Sequence, residues 1–214
     1  MDEDIAIIDA NTRSEKIKNF YLNNKKKIFS LILVIIFLTF GYFFFQDLKK
    51  KEKIELADKF YSASIKFIEG DRKNIENNFI DIVKSKDKTY SPLALFFLID
   101  NKIISSNEKI NELFDIIIND SGLDKETKKL IIYKKGLFNS DFETENNLLN
   151  ILNPVINSES IWKSHALYLL AEFFYSKKEL EKSKEFFMQI LDLENANSNI
   201  KLQAQKRINR DFSE

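Results

Sequence analysis

Apolar residues recur at helical intervals along most of this chain, and one stretch breaks that rhythm by being apolar on every side. Between Ile28 and Phe45 there is no charge, and only Ser30, Thr39 and Gly41 dilute the apolar character. A core helix keeps a polar stripe, and none can be drawn here at any period. At about 1.5 Å per residue the run reaches roughly 27 Å, near the thickness of a bilayer's hydrocarbon core. The pattern predicts a transmembrane helix over residues 28–46, in contact with the lipid bilayer and preceded by a short cytoplasmic tail, residues 1–27. The run closes on Phe43-Phe44-Phe45-Gln46-Asp47-Leu48, which offers nothing small to a signal peptidase, so the segment is expected to stay attached. Tyr42 and the phenylalanines form an aromatic end of the kind found where a helix leaves a bilayer.

Within the tail, Thr12-Arg13-Ser14-Glu15 has the spacing of a capping box and predicts a short helix over Glu15 to Asn23. Cations flank the span on both sides: Arg13, Lys16, Lys18 and Lys25 to Lys27 before it, Lys49 to Lys51, Lys53 and Lys59 after it. Their near balance decides little. The Lys25-Lys26-Lys27 triplet abuts the span, the tail is short, and long domains translocate largely regardless of charge. These arguments place the N-terminus in the cytoplasm and the remainder outside it.

Beyond the span the apolar spacing turns amphipathic. Ile110, Leu113, Phe114 and Ile117 fall at i, i+3, i+4 and i+7, and Leu167, Leu170, Ala171 and Phe174 repeat the set. Gly70-Asp71, Ser105-Ser106-Asn107, Asn139-Ser140-Asp141 and Lys177-Lys178 read as tight turns of helical hairpins. Longer polar breaks lie at 85–91, 120–124 and 153–160, with Ser91-Pro92 placed to cap and open a helix. These marks predict helix pairs near 54–84, 91–119, 125–153 and 160–193, then a last helix near 198–210. The first helices start 37, 34 and 35 residues apart. A period near 35 is the signature of stacked helical repeats. An irregular bundle of similar hairpins is the alternative. The predicted fold class is all-α: an N-terminal transmembrane helix, then an α-solenoid of about four helical hairpins plus a C-terminal helix over residues 52–214.

Composition sharpens this picture. Four Gly and two Pro are few against an average near 12% for the two together, which disfavours turn-rich sandwiches and barrels. Zero Cys removes disulfides, thiolate metal sites and thiol nucleophiles, and one His, His165, removes any site built from two imidazoles. Lys plus Arg and Asp plus Glu both number 33, so the basic footprint of a nucleic-acid binder is missing.

The fourth helix pair resembles the tetratricopeptide repeat. Leu170 and Phe187 match the pattern's Leu and Phe; Leu167, Ala171, Phe174, Ser183 and Asn195 stand where Trp, Gly, Tyr, Ala and Pro are usual. Ala171 and Ser183 are small where the two helices of such a unit approach closely. The whole layout resembles the single-pass, tetratricopeptide-like ancillary subunit of the bacterial Sec translocon. The similar elements are the charged tail, the span ending in Gly41-Tyr42, Thr89-Tyr90-Ser91-Pro92-Leu93-Ala94 opening a helix, and Trp162-Lys163 followed by Ala166. That resemblance implies an inner-membrane protein with a periplasmic repeat domain whose partners are translocon subunits, periplasmic chaperones or secretory chains. The chain departs from it in lacking Gly in the hairpin turns after Gly70.

Little catalytic chemistry is written in the sequence. Gly41, Gly70, Gly122 and Gly136 lie too far apart for a dinucleotide fingerprint, phosphate loop or nucleophile elbow. Ser164 points about 100° away from His165 on a helix and cannot serve as its partner. No carboxylate spacing recommends a hydrolase, although Asp and Glu are plentiful. His165, Tyr168, Glu172 and Tyr175 form a second stripe on the helix that carries Leu167 and Phe174, mixing aromatic area with polar ends as partner-binding surfaces do. Inter-repeat packing is the other reading of that stripe. The sequence therefore predicts a membrane-anchored protein-interaction module, not an enzyme, with no cofactor, metal, nucleic acid or small-molecule substrate. An envelope or division scaffold of the same fold and an anchored carboxylate hydrolase are the alternatives.

Overall fold

From Asp2 the backbone runs as one helix, α1 (Asp2–Ile68), in a computed structural model that describes the backbone of residues 2–212 and the side chains of residues 15, 16 and 18–212. The separate helix expected over Glu15 to Asn23 is thus part of a longer one. No Gly or Pro precedes Gly41, so nothing in the sequence breaks the backbone there. The capping geometry expected of Thr12 lies outside the described side chains. Between Phe29 and Phe45 the large apolar side chains of α1 are all exposed, Phe37 at 81%. The helix is long and apolar enough to cross a membrane. Two polar side chains bond locally: Thr39 Oγ1 donates to the Ile36 carbonyl at 2.8 Å and Gln46 Nε2 to the Tyr42 hydroxyl at 2.7 Å.

The chain divides into two compact units, Met1–Glu55 and Leu56–Glu214. In the second, the end of α1 is followed by α2 (Ile75–Lys84), α3 (Tyr90–Asp100), α4 (Asn107–Asp120), α5 (Lys125–Asn139), α6 (Glu145–Ile156), α7 (Lys163–Ser176), α8 (Leu180–Asp192) and α9 (Ser198–Asp211). All regular elements among the described residues are helical, and the hairpin turns fall where the polar punctuation put them.

Two boundaries differ from the sequence reading. Helix α3 starts before Ser91, because the Asp87 carboxylate accepts from the Thr89 and Tyr90 amides and opens it early. Pro92 then sits in the first turn, where its missing N–H leaves no bond unmade. Helix α6 runs through Pro154 to Ile156, and Lys129 Nζ donates to the Pro154 carbonyl.

The scarcity of glycine is met by lysine. At the end of α3 the Lys102 amide bonds the Ile99 carbonyl and the Ile103 amide reaches back to Leu98; after α7, Lys178 bonds Tyr175 and Glu179 reaches Phe174. Gly70 makes the same pair of bonds after α1. All three take left-handed backbone angles, φ 88° at Gly70, 50° at Lys102 and 64° at Lys178. This double bond is the Schellman closure, in which glycine is the usual residue.

Packing proceeds along the chain. One cluster joins α2, α3 and α4 to the end of α1 through Ala63, Ile75, Phe79, Leu95 and Phe114, with Phe79 and Phe97 stacked 4.3 Å apart. A second joins α5, α6 and α7, and a third joins α7, α8 and α9 around Leu167, Ala171 and Phe187. Where helices come closest, small residues are required. A Cβ on Gly136 of α5 would lie 2.4 Å from Leu152 Cδ2 of α6, and buried Ser183 of α8 donates to the Ala171 carbonyl at 2.8 Å.

Five polar links between successive pairs have similar spacing. Lys109 meets Glu76, Ser160 meets Glu126, Lys182 meets Glu145, the Asn197 amide meets Ser164 Oγ, and Arg207 meets Glu172, at separations of 33, 34, 37, 33 and 35 residues. Helices α4 and α5 are joined instead by shorter-range links, Asn111 with Asn139 at 28 residues and Lys135 with Asp115 at 20.

Candidate interaction surface

Helix α7 places its side chains in three directions. Leu167, Leu170, Ala171 and Phe174 are buried, as the apolar spacing requires. The sequence-predicted stripe lies beside them, half-buried, and it divides. His165 turns to an aromatic group, 5.1 Å from the Trp162 ring and 5.9 Å from Tyr133 of α5, which itself stacks on Trp162 at 6.1 Å. Its Nδ1 is buried and has no hydrogen-bond partner. Burial pulls the His165 pKa below its ordinary 6.5, and the backbone of Ile161 offsets this in part. The net effect favours the neutral imidazole over the charged one. Neighbouring Ser164 is buried and engaged by the Asn197 amide, so it does not pair with His165.

Tyr168, Glu172 and Tyr175 instead meet the other side of the fold. Glu172 accepts from Arg207 of α9 through both oxygens, at 2.7 and 2.8 Å. The Arg207 guanidinium lies 4.2 Å from the centre of the Tyr175 ring, whose edge meets Phe212. Tyr168 packs edge-on against Phe187 at 5.5 Å. Burial, with the Glu172 carboxylate beside it, pushes the Tyr168 phenol up to about 12. Asp211 accepts from Arg207 and Arg210, and the hydrogen bond from Arg210 holds its carboxyl below the usual range. The stripe is therefore not a single open groove: most of it is the seat of α9.

What remains accessible is a cleft of ≈ 570 Å³ along the edge of that seat, lined by Tyr168, Gln203, Lys206, Arg207, Asn209 and Arg210. Its lining is cationic and amide-rich, with one phenol on the α7 wall. Such a surface takes carboxylates and backbone carbonyls. Among the described residues no group of three His, Asp or Glu is placed to hold a metal ion.

Arg207 was not legible as a partner of the stripe from helical periodicity, which treats one helix at a time. The signal that finds it is the spacing of near 35 residues read from the sequence: Arg207 stands 35 residues after Glu172. No family model, curated protein or solved structure matches this chain.

Proposed function

We propose that the chain is a single-pass, membrane-anchored interaction module whose second unit is a tetratricopeptide-like stack of helix pairs. The observation that carries this reading is the recurrence of five inter-pair links at 33 to 37 residues, near the period of the sequence. Equivalent helices meeting at a constant step is what a solenoid requires, since each hairpin buries its apolar face on its neighbours. The uncharged, exposed run within α1 supports the anchor. Binding is the reading that the site chemistry supports: cations, amides and a phenol line the cleft at α7 and α9, groups that take carboxylates and carbonyls. The similarity of layout to the translocon's ancillary subunit supports an accessory role at the bacterial inner membrane, with the repeats in the periplasm and translocon subunits, periplasmic chaperones or secretory chains as partners.

A photoreactive residue in place of Lys206, on the rim of the cleft, tests this in native membranes. Discrete protein adducts identified by mass spectrometry, and none from a control at exposed Glu185 on α8, are expected. Equal labelling at both positions, or no protein adduct at Lys206, overturns the binding assignment for this face.

A further inference from the structure

The segment of α1 ahead of the apolar run carries a chemistry that spanning alone does not need. From Glu15 to Lys27 there are five lysines, Lys16, Lys18, Lys25, Lys26 and Lys27, and a single carboxylate. At 100° per residue Lys16, Asn23, Lys26, Lys27 and Ser30 share one face, and Leu31 and Val34 continue it into the apolar run. Along that face ammonium and amide groups give way at Ser30 to a hydroxyl, and beyond it to hydrocarbon. Lys26, Lys27, Ser30, Leu31 and Val34 line a shallow cleft of ≈ 450 Å³. Phe20 and Tyr21, exposed at 64% and 57%, add aromatic area of the kind that settles among headgroups. None of the five lysines has an ion-pair partner among the described residues.

We propose that this face is a binding site for an anionic phospholipid. Lys26 and Lys27 hold the headgroup phosphodiester, Ser30 Oγ bonds a glycerol-ester oxygen, and an acyl chain lies against Leu31 and Val34. Charge complementarity selects the occupant. Clustered lysines beside a span are drawn to an anionic leaflet, and the apolar floor distinguishes a lipid from a free phosphate. Lysine, rather than arginine, suits a headgroup that must be held by charge without a fixed fork geometry. The headgroup of phosphatidylcholine carries its own quaternary ammonium, so its net charge is zero and it offers the cluster no net attraction.

The inference rests on the membrane reading of α1, and the experiment separates the two. The intact chain is reconstituted in vesicles of phosphatidylcholine alone and of phosphatidylcholine with phosphatidylglycerol, floated on a density gradient, and its retained lipids are counted by native mass spectrometry. The expected result is flotation with both compositions and selective retention of phosphatidylglycerol, falling on the order of tenfold in Lys26→Gln/Lys27→Gln. Retention in Lys50→Gln/Lys51→Gln, beyond the far end of the run, stays near the parent's. Millimolar inorganic phosphate does not displace the lipid. Failure to float with neutral vesicles overturns both the span and the lipid site. Flotation with equal retention of the two lipids, equal loss in both double variants, or displacement by free phosphate overturns the lipid site alone.

Discussion

His165 is the residue at which burial and chemistry disagree most plainly. Its ring is packed against both Trp162 and Tyr133, and its Nδ1 is buried with no hydrogen-bond partner, so a charged imidazole is poorly solvated there. The folded pKa lies below 6.5, which means the unfolded chain takes up a proton more readily than the folded one. Stability is therefore unaffected by this group at pH 8, begins to fall as the pH drops through 6.5, and stops falling once the folded form is also protonated. Because the chain has one histidine, the effect can be isolated. Thermal melts at pH 7.5 and 5.5 should show a larger loss in the parent than in His165→Phe, which keeps an aromatic ring in the same cluster and cannot titrate. An identical pH dependence in the two proteins would assign the loss to carboxylates elsewhere.

At the scale of elements, the ends of helices decide more than their middles. Lys178 holds the left-handed position between α7 and α8 that Gly70 holds between α1 and α2, and a side chain there costs about 1 kcal/mol or more. Lys178→Gly should relieve that strain at the expense of some unfolded-state entropy. The net gain is expected to be up to about 1 kcal/mol, a rise of a few degrees in melting temperature. A lower melting temperature would show that the Lys178 side chain contributes more than its backbone costs. The same turn shows what was legible in the sequence. Lys177-Lys178 marked a hairpin by polarity and by the end of an apolar stripe, and the helices on either side lie where the 3.6-residue spacing put them. The conformation inside the turn was not legible, because lysine carries no preference for positive φ. The start of α3 was misplaced for a related reason: the capping group is Asp87, while Ser91-Pro92 has the more familiar appearance. The stripe on α7 was located correctly on its helix, but its neighbours belong to α5 and α9, and contacts between helices are set by tertiary stacking rather than by the period of one helix.

For the molecule as a whole, the two units make opposite demands on solvent. The second buries a set of large apolar side chains, Phe79, Phe114, Phe174 and Phe187 among them, and covers itself with lysine and glutamate. The first exposes an unbroken apolar cylinder, an arrangement that water does not tolerate in a monomer. Inserted in a bilayer, the strongly apolar Ile, Leu, Val and Phe residues between Ile28 and Phe45 contribute favourably by roughly 0.3–0.6 kcal/mol each, so the run as a whole is favoured by several kcal/mol. The hydrophobic clusters of the second unit begin at Phe60 and Ala63. A chain truncated to begin at Lys53 should accordingly be soluble without detergent, strongly helical by circular dichroism, and cooperative in its melt, with no metal or reductant needed. The intact chain should require detergent or lipid to stay dispersed. If the truncated chain aggregates or loses its helical signal, the apolar run is part of the fold's core and the anchor reading fails; if the intact chain is monodisperse in plain buffer, the run has found cover within the protein and does not span.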